Sequence, residues 1–354
     1  MRILITGICG FVGSVLARSL PTHIERLEVL GLDNLSRPGS EQNRWALKGS
    51  KTPVFHADVR CPSDLEAIPK VDWVIDAAAN PSVLAGLADT SSRQLMEHNL
   101  VGTLNLLELC KRNGSGMILL STSRVYSVAR LRALELREQN STLLPEFNQL
   151  KEPGLSAEGI GEGFSTQPPL SLYGSAKLAS ELLSLEYGSG FGLPVHVNRC
   201  GVLAGAGQFG KADQGIFSYW IHSYRARRPL KYIGFGGTGC QVRDCLHPRD
   251  LASLVAMQMR HPEKGGKVLN VSGGMASSIS LAQLSQWCAR RFGEHHVGSD
   301  RQERPFDVPW LVLNATKAQQ QWNWRPTVSL EEILKEIAEH AEANPRWLDI
   351  SGAV

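Results

Sequence analysis

Arg2-Ile-Leu-Ile-Thr-Gly-Ile-Cys-Gly-Phe-Val-Gly13 opens the chain. It runs from an apolar stretch into a turn punctuated by Gly7, Gly10 and Gly13, and a helical stretch from Val15 to Leu20 comes next. Glycines at such a turn let the backbone approach a pyrophosphate, whose charge then faces a helix N-terminus through Phe11 and Val12. A glycine triplet alone is no more than a tight turn. Asp33 adds the context: it closes a second apolar run, Glu28–Leu32, about 20 residues on, where a carboxylate takes the hydroxyls of an adenosine ribose. The implied ligand is a dinucleotide. Asp33 repels a 2′-phosphate and so favours NAD over NADP, a preference that Arg37 weakens.

Further along the chain, Pro53–His56, Trp73–Asp76, Met117–Leu120 and Val195–Asn198 read as strands. Helical stretches separate them, among them Pro62–Ile68 and a long helix Ser92–Arg112 with Leu95, Leu100, Leu104 and Leu107 on its apolar face. Strands alternating with helices imply right-handed crossovers and a doubly wound, Rossmann-type parallel α/β sheet. From Ser127 to Leu170 the pattern dissolves into charges, Pro and Gly, which suggests a functional loop or lid carrying short helices at most. Beyond Gly201 the chain is Gly-rich and irregular until an amphipathic helix at Leu330–Ala343. The expected division is a dinucleotide-binding domain over 1–195, joined again by residues 240–270, and a smaller, mixed substrate-binding lobe over 196–354.

Composition narrows the function classes. The chain has 354 residues, 42% hydrophobic and 20% charged, which fits a globular protein with a large core. A formal charge of +3 is too small to argue for nucleic acid. No run of 18 or more apolar residues is present, so no membrane span is expected. A strand beginning at Arg2 leaves no room for a signal peptide, and a cytoplasmic location is expected. The seven cysteines contain no CxxC pair, which argues for reduced thiols and against a zinc site; no metal is expected.

Tyr173-Gly-Ser-Ala-Lys177 carries the candidate chemistry. Four residues apart on a helix, a phenol and an ammonium share one face. A lysine beside a tyrosine favours phenolate, lowering the phenol from ~10 toward working pH. The result is a general base able to take a proton from an alcohol while a hydride leaves the same carbon. On an exposed helix the same spacing is only a solvated pair. Thr122, at the carboxyl end of a strand, stands where ligands of open α/β sheets bind, or else merely caps the strand end.

Thr6-Gly-x-x-Gly-Phe-x-Gly13, Asp33-Asn34, Asp58-Val59, Ala77-Ala-Ala79, Asn99 with Gly102-Thr103, Ser121-Thr122 and Tyr173-x-x-x-Lys177 resemble, in order, the motifs of the extended short-chain dehydrogenases, the NAD-dependent epimerases and dehydratases. Within that family Asp33–Ser40, Asp213-Gln-Gly215 and Gly239–His247 are most similar to CDP-tyvelose (CDP-paratose 2-) epimerases. Ser123-Arg124 stands where those epimerases tend to carry Asn-Lys. The resemblance implies catalysis by Thr122, Tyr173 and Lys177, with Lys177 also on the cofactor ribose. It places Gly7, Gly10, Phe11, Val12, Gly13, Asp33, Asn34, Val59, Ala77, Ala78, Tyr173 and Lys177 at NAD. Asp58 is an adenine contact or a helix N-cap, and Asn99 holds a kink near the cofactor or is a plain helix residue. Ser123, Arg124, Asn198, Gln208, Gln214 and Arg243 are expected at the nucleotide-diphosphate sugar. Arg243 grips the diphosphate or belongs to a surface neighbourhood with Asp244.

The implied reaction is epimerisation through a transient keto sugar, at C2 if the tyvelose likeness extends to substrate. A UDP-hexose 4-epimerase, a 4,6-dehydratase and an inactive NAD-binding sensor or scaffold are the alternatives. The resemblance also implies a homodimer packed through Ser92–Arg112 and Tyr173–Tyr187. Arg225, Arg227 and Arg228 read as a solvated cluster, and His196, Cys200 and the aromatics of Phe217–Tyr224 as packing.

Overall fold

The computed structural model describes residues 1–50, 52–87, 90–146 and 152–353. Seven strands form one all-parallel sheet: β1 Arg2–Thr6, β2 Glu28–Asp33, β3 Val54–His56, β4 Trp73–Asp76, β5 Gly116–Thr122, β6 Val195–Cys200 and β7 Lys267–Val271. Their spatial order is β7-β6-β5-β4-β1-β2-β3, the doubly wound arrangement that reverses direction between β1 and β4. Alternate residues of β1 feed opposite cores. Ile3 and Ile5 pack with Leu16 and Leu20 of helix Phe11–His23 and with Leu251 and Val255 of helix Pro248–Arg260. Leu4 faces the other way, with Val74, Leu106 and Leu109. A sheet buried on both faces needs continuous apolar runs, and these strands supply them.

Two expectations about chain organisation need correction. β6 runs through Cys200 in register with β5, so a boundary at 195/196 cuts a sheet strand at its first residue. In the 240–270 stretch, helix Pro248–Arg260 and β7 do join the sheet, but Val242–Leu246 is the middle of a separate small sheet. There it pairs with Val202–Leu203, Ser278–Ser280 and Trp310–Leu311. Helices Ile216–Arg225, Leu281–Phe292 and Leu330–Ala343 close the lobe around Trp220, Leu284 and Ile337.

The long helix is also not uniform. Ser92–Met96 and Gly102–Asn113 are α-helical, with a π-helical turn at Glu97–Val101 between them. The wider turn rotates the second α-helical part, so Leu106, Leu107 and Leu109 are buried while Leu100 and Leu104 are only half-buried. The 127–170 excursion, where described, is anchored rather than loose. Its strands Leu136–Gln139 and Thr142–Pro145 form a hairpin, Leu143 N–H donates to Cys240 O at 3.0 Å, and Ile160 N–H donates to Val312 O at 2.8 Å. Arg227, exposed as expected, also caps helix Leu281–Phe292 by donating to the carbonyls of Phe292, Gly293 and Glu294.

Candidate active site

A cavity of about 1240 Å³ opens between the carboxyl edge of the sheet and the second lobe. Its floor is the glycine turn. Gly7 adopts φ +62°, and a Cβ on Gly13 would lie 2.3 Å from Gly7 O, so neither position tolerates a side chain without moving backbone. Helix Phe11–His23 starts at Gly10 with no side-chain cap, leaving first-turn N–H groups for an anion. Thr6 Oγ1 accepts from Ala77 and Ala78 N–H at 3.1 Å each and donates to Asp76, which also binds Thr103 Oγ1 at 2.7 Å. Those bonds fix the Ala77-Ala78 wall against the glycine turn.

Asp33 ends β2 in the cavity wall and accepts from Cys9 N–H and Leu35 N–H, both at 2.8 Å. Burial raises its pKa, and those backbone donors oppose the shift. Asn34 and Val59 line the same end of the cavity. Asp58 does not: its carboxylate is taken by Arg60 through Nε, Nη2 and the backbone N–H, and by Asn34 Nδ2 at 2.9 Å. Its pKa is lowered first by the Arg60 bond. It also does not cap the next helix, whose N-cap is Cys61. Arg60, which carries no motif in the sequence, takes the place in the cavity wall.

Asn99 sits in the expected kink near the site but does not itself line the cavity. The π-turn buries it, and its amide grips both backbone groups of Asn80, accepting from N–H at 2.8 Å and donating to O at 3.0 Å. Asn80 lines the cavity and Asn99 does not.

Across the cavity stand Thr122, Tyr173 and Lys177, all buried. Thr122 lines the cavity beside Tyr173, and its Oγ1 also caps, accepting from Arg124 N–H at 3.1 Å. Ser171 caps the helix Leu172–Phe191 that carries Tyr173 and Lys177. Gly174 lets that helix settle on the preceding loop, since a Cβ there would lie 2.2 Å from Arg124 O. The expected acidification of the phenol is not found. Burial pushes Tyr173 up to about 12, against the lowering effects of the Thr122 bond and of Arg124. Among the described residues no carboxylate pairs with Lys177, which leaves its ammonium for a ligand.

The second lobe supplies the far wall. Arg243 donates through Nη2 to Asp307 Oδ1 and Val308 O, both at 2.7 Å, and burial lowers its pKa to about 10. Asp307, not the neighbouring Asp244, is its partner. Asp244 instead accepts from Leu313 N–H at 2.8 Å, and burial raises it to about 6. Ser123, Arg124, Gln208 and Gln214 line the cavity, and Arg124 Nη1 is buried with no hydrogen-bond partner among the described residues. Asn198 does not reach it: its amide pairs both ways with Gln258 at 2.8 and 2.9 Å inside the core. Arg37, expected beside the adenosine ribose, spans the cleft to Gln214 Oε1 and Phe209 O.

Residues 3–272 match the model of the NAD dependent epimerase/dehydratase family. The chain belongs to this family. Epimerase/dehydratase relatives of similar length include the CDP-paratose 2-epimerase of Salmonella typhi, 28% identical over 95% of this chain and 98% of that one. The UDP-glucuronate 4-epimerase of Thermodesulfobacterium geofontis is also 28% identical, over 96% of each chain. Among solved structures, the UDP-glucose 4-epimerase of Thermus thermophilus complexed with NAD superposes with a TM-score of 0.77 at 26% identity, covering 97% of this chain and 99% of that one.

NAD is the cofactor of the family, and the residues present fit it. The cradle that a Cβ would fill, the buried Asp33 beside it and the Lys177 ammonium, unpaired among the described residues, meet a diphosphate and two riboses in the required chemistry. No His/Cys/Asp/Glu cluster among the described residues could hold a metal. No helix there is long and apolar enough to cross a membrane.

Proposed function

We propose that this epimerase/dehydratase family member is a nucleotide-sugar epimerase that works through a transient keto sugar. The observation that carries this reading is the Thr122–Tyr173–Lys177 cluster facing the glycine cradle across one cavity. When bound, NAD accepts a hydride from the sugar and returns it. Gly7, Gly10, Gly13 and Asp33 would hold it, with Lys177 on the ribose nearer the reacting carbon. Tyr173 takes the proton of the sugar hydroxyl, Thr122 bonds the same hydroxyl, and the positive charge of Lys177 favours the phenolate once ligands have displaced water. Arg243 and Gln214 hold the nucleotide diphosphate while the sugar turns, so that hydride returns to the other face. A planar guanidinium pre-set by Asp307 suits two phosphate oxygens.

Epimerisation is favoured over dehydration because elimination needs an added acid and base near Thr122. The next two residues are Ser123 and Arg124. The cavity's other carboxylates are engaged, Asp213 by Ser82 Oγ at 2.6 Å and Asp307 by Arg243. Similarity to the CDP-paratose 2-epimerase supports C2 of a CDP-sugar as the reacting carbon. Incubation with CDP-, UDP-, GDP- and dTDP-sugars in deuterated water, read by proton NMR, tests this. An epimer without deuterium at the inverted carbon supports it, whereas a deuterated 4-keto-6-deoxy sugar overturns it.

The assembly is a homodimer in this reading, packed through helices Gly102–Asn113 and Leu172–Phe191. Leu182 on the second of these helices is 60% exposed and Val101, just before the first, 38%. Light scattering on the eluted protein measures the mass. Seven free cysteines suit a reducing, cytoplasmic setting.

A further inference from the structure

The helix bearing Tyr173 and Lys177 carries a third polar residue in the same phase, Glu181. Residues at i, i+4 and i+8 share one helix face. Glu181 is buried and receives the fork of Arg199 on β6: Nε lies 3.0 and 3.1 Å from the two carboxylate oxygens and Nη2 lies 2.7 Å from Oε2. Ser121 Oγ on β5 donates to the same carboxylate. Arg199 Nη1 reaches Tyr126 OH at 3.3 Å, which donates to Asn270 Oδ1 on β7 at 2.7 Å. Asn270 in turn donates to Ile160 O and Glu162 Oε1 of the 127–170 excursion, both at 2.8 Å.

This network meets the chemistry at one-residue range. Ser121 precedes Thr122, and the β5–β6 register sets Arg199 opposite Ser121. A buried ion pair rarely stabilises a fold more than an apolar pair of equal volume, so stability is a poor reason for its presence. Its geometry is directional, which an apolar contact is not. We propose that Glu181 and Arg199 are positioning residues: their ion pair fixes the rotation and height of the helix over β5 and β6, so that Tyr173 and Lys177 stand opposite Thr122. The proposal rests on the epimerase reading above. It assigns the pair an effect on turnover with little effect on binding.

The test uses the NAD-loaded protein and the CDP-, UDP-, GDP- and dTDP-sugar panel. Glu181→Met with Arg199→Met removes both charges at similar volume, and Arg199→Lys keeps the charge while losing the fork. The double variant is expected to retain bound NAD and a KM near wild type while kcat falls about 100-fold, the cost of a displacement of about 1 Å. Its pH–rate profile should move to higher pH as Tyr173 loses the Thr122 contact, which lowers the phenol. Arg199→Lys, which keeps the charge without the fork, should recover only part of the rate. A double variant with wild-type kcat and pH profile overturns the positioning role, as does a loss of kcat that tracks loss of bound NAD in both variants. A wild-type holoenzyme that forms no NADH and no epimer with any member of the panel overturns the epimerase reading itself.

Discussion

The two walls of the cavity are built by opposite strategies. The wall proposed for the cofactor is mostly backbone: Gly7, Gly10 and Gly13 shape it within one turn, and β1, β2 and β4 bring Thr6, Asp33 and Ala77 to one edge. The substrate wall is mostly side chain, and each member is held from far along the chain. Arg243 leans on Asp307, Arg304 Nη1 reaches Ala212 O at 2.9 Å, and Arg37 crosses to Gln214. A backbone wall fits what every relative binds, since a diphosphate needs only N–H groups and room. A wall of side chains can change its ligand by single substitutions while the sheet stays as it is.

Four measurements put that contrast at risk. Tyr173→Phe, which removes only the phenol hydroxyl, should lower turnover about 1,000-fold or more while bound NAD is unchanged. Wild-type turnover in that variant would remove the proton-transfer role. Gly13→Ala should strike the backbone wall alone, forcing apart atoms that would sit 2.3 Å away, at a cost of about 1–3 kcal/mol in stability and with loss of bound NAD. Melting temperature and the absorbance of released cofactor measure both.

Asp307→Asn should act on the substrate wall alone. It weakens the hold on Arg243 by roughly 1.5–3 kcal/mol, the range for a charged hydrogen bond, and so raises KM for the nucleotide sugar with NAD content intact. The most gradual effect is a pH response present in both regions. His196 on β6 is lowered to about 4 and His222 of the second lobe to about 3, chiefly by burial. Folded values below the unfolded ~6.5 mean that the stability they contribute is present above that pH and lost as pH falls toward 4 and 3. Thermal melts from pH 7 to pH 4 should fall gradually, and His222→Phe should flatten part of that slope.

Legibility in the sequence divides along the same line. The glycine turn, Asp33 and Tyr173–Lys177 are short-range patterns whose spacing carries their geometry, and the cavity brings them together. Asn198 misled because a strand buried on both faces can hold polar residues that satisfy one another. Here Asn198 pairs with Gln258 on one face and Arg199 with Glu181 on the other. Asp307 lies in an irregular stretch with no local signal, and only the fold shows that it orients Arg243. β7 was legible only as a segment returning to the sheet, because Lys267-Val-Leu-Asn-Val271 is short and half polar. The phenol's upward shift was out of reach for a related reason. Spacing shows that Lys177 is near Tyr173 but not how much solvent the fold removes.

The π-turn at Glu97–Val101 has a mechanical consequence. One surplus residue in a helix turns everything beyond it by about 100°. Asn99 is thereby pointed at Asn80 and the cavity rim, and two residues later Val101 is pointed outward. Deleting a single residue there would swing both at once, so the rim of the active site and the outward-facing Val101 are geared to the same tooth.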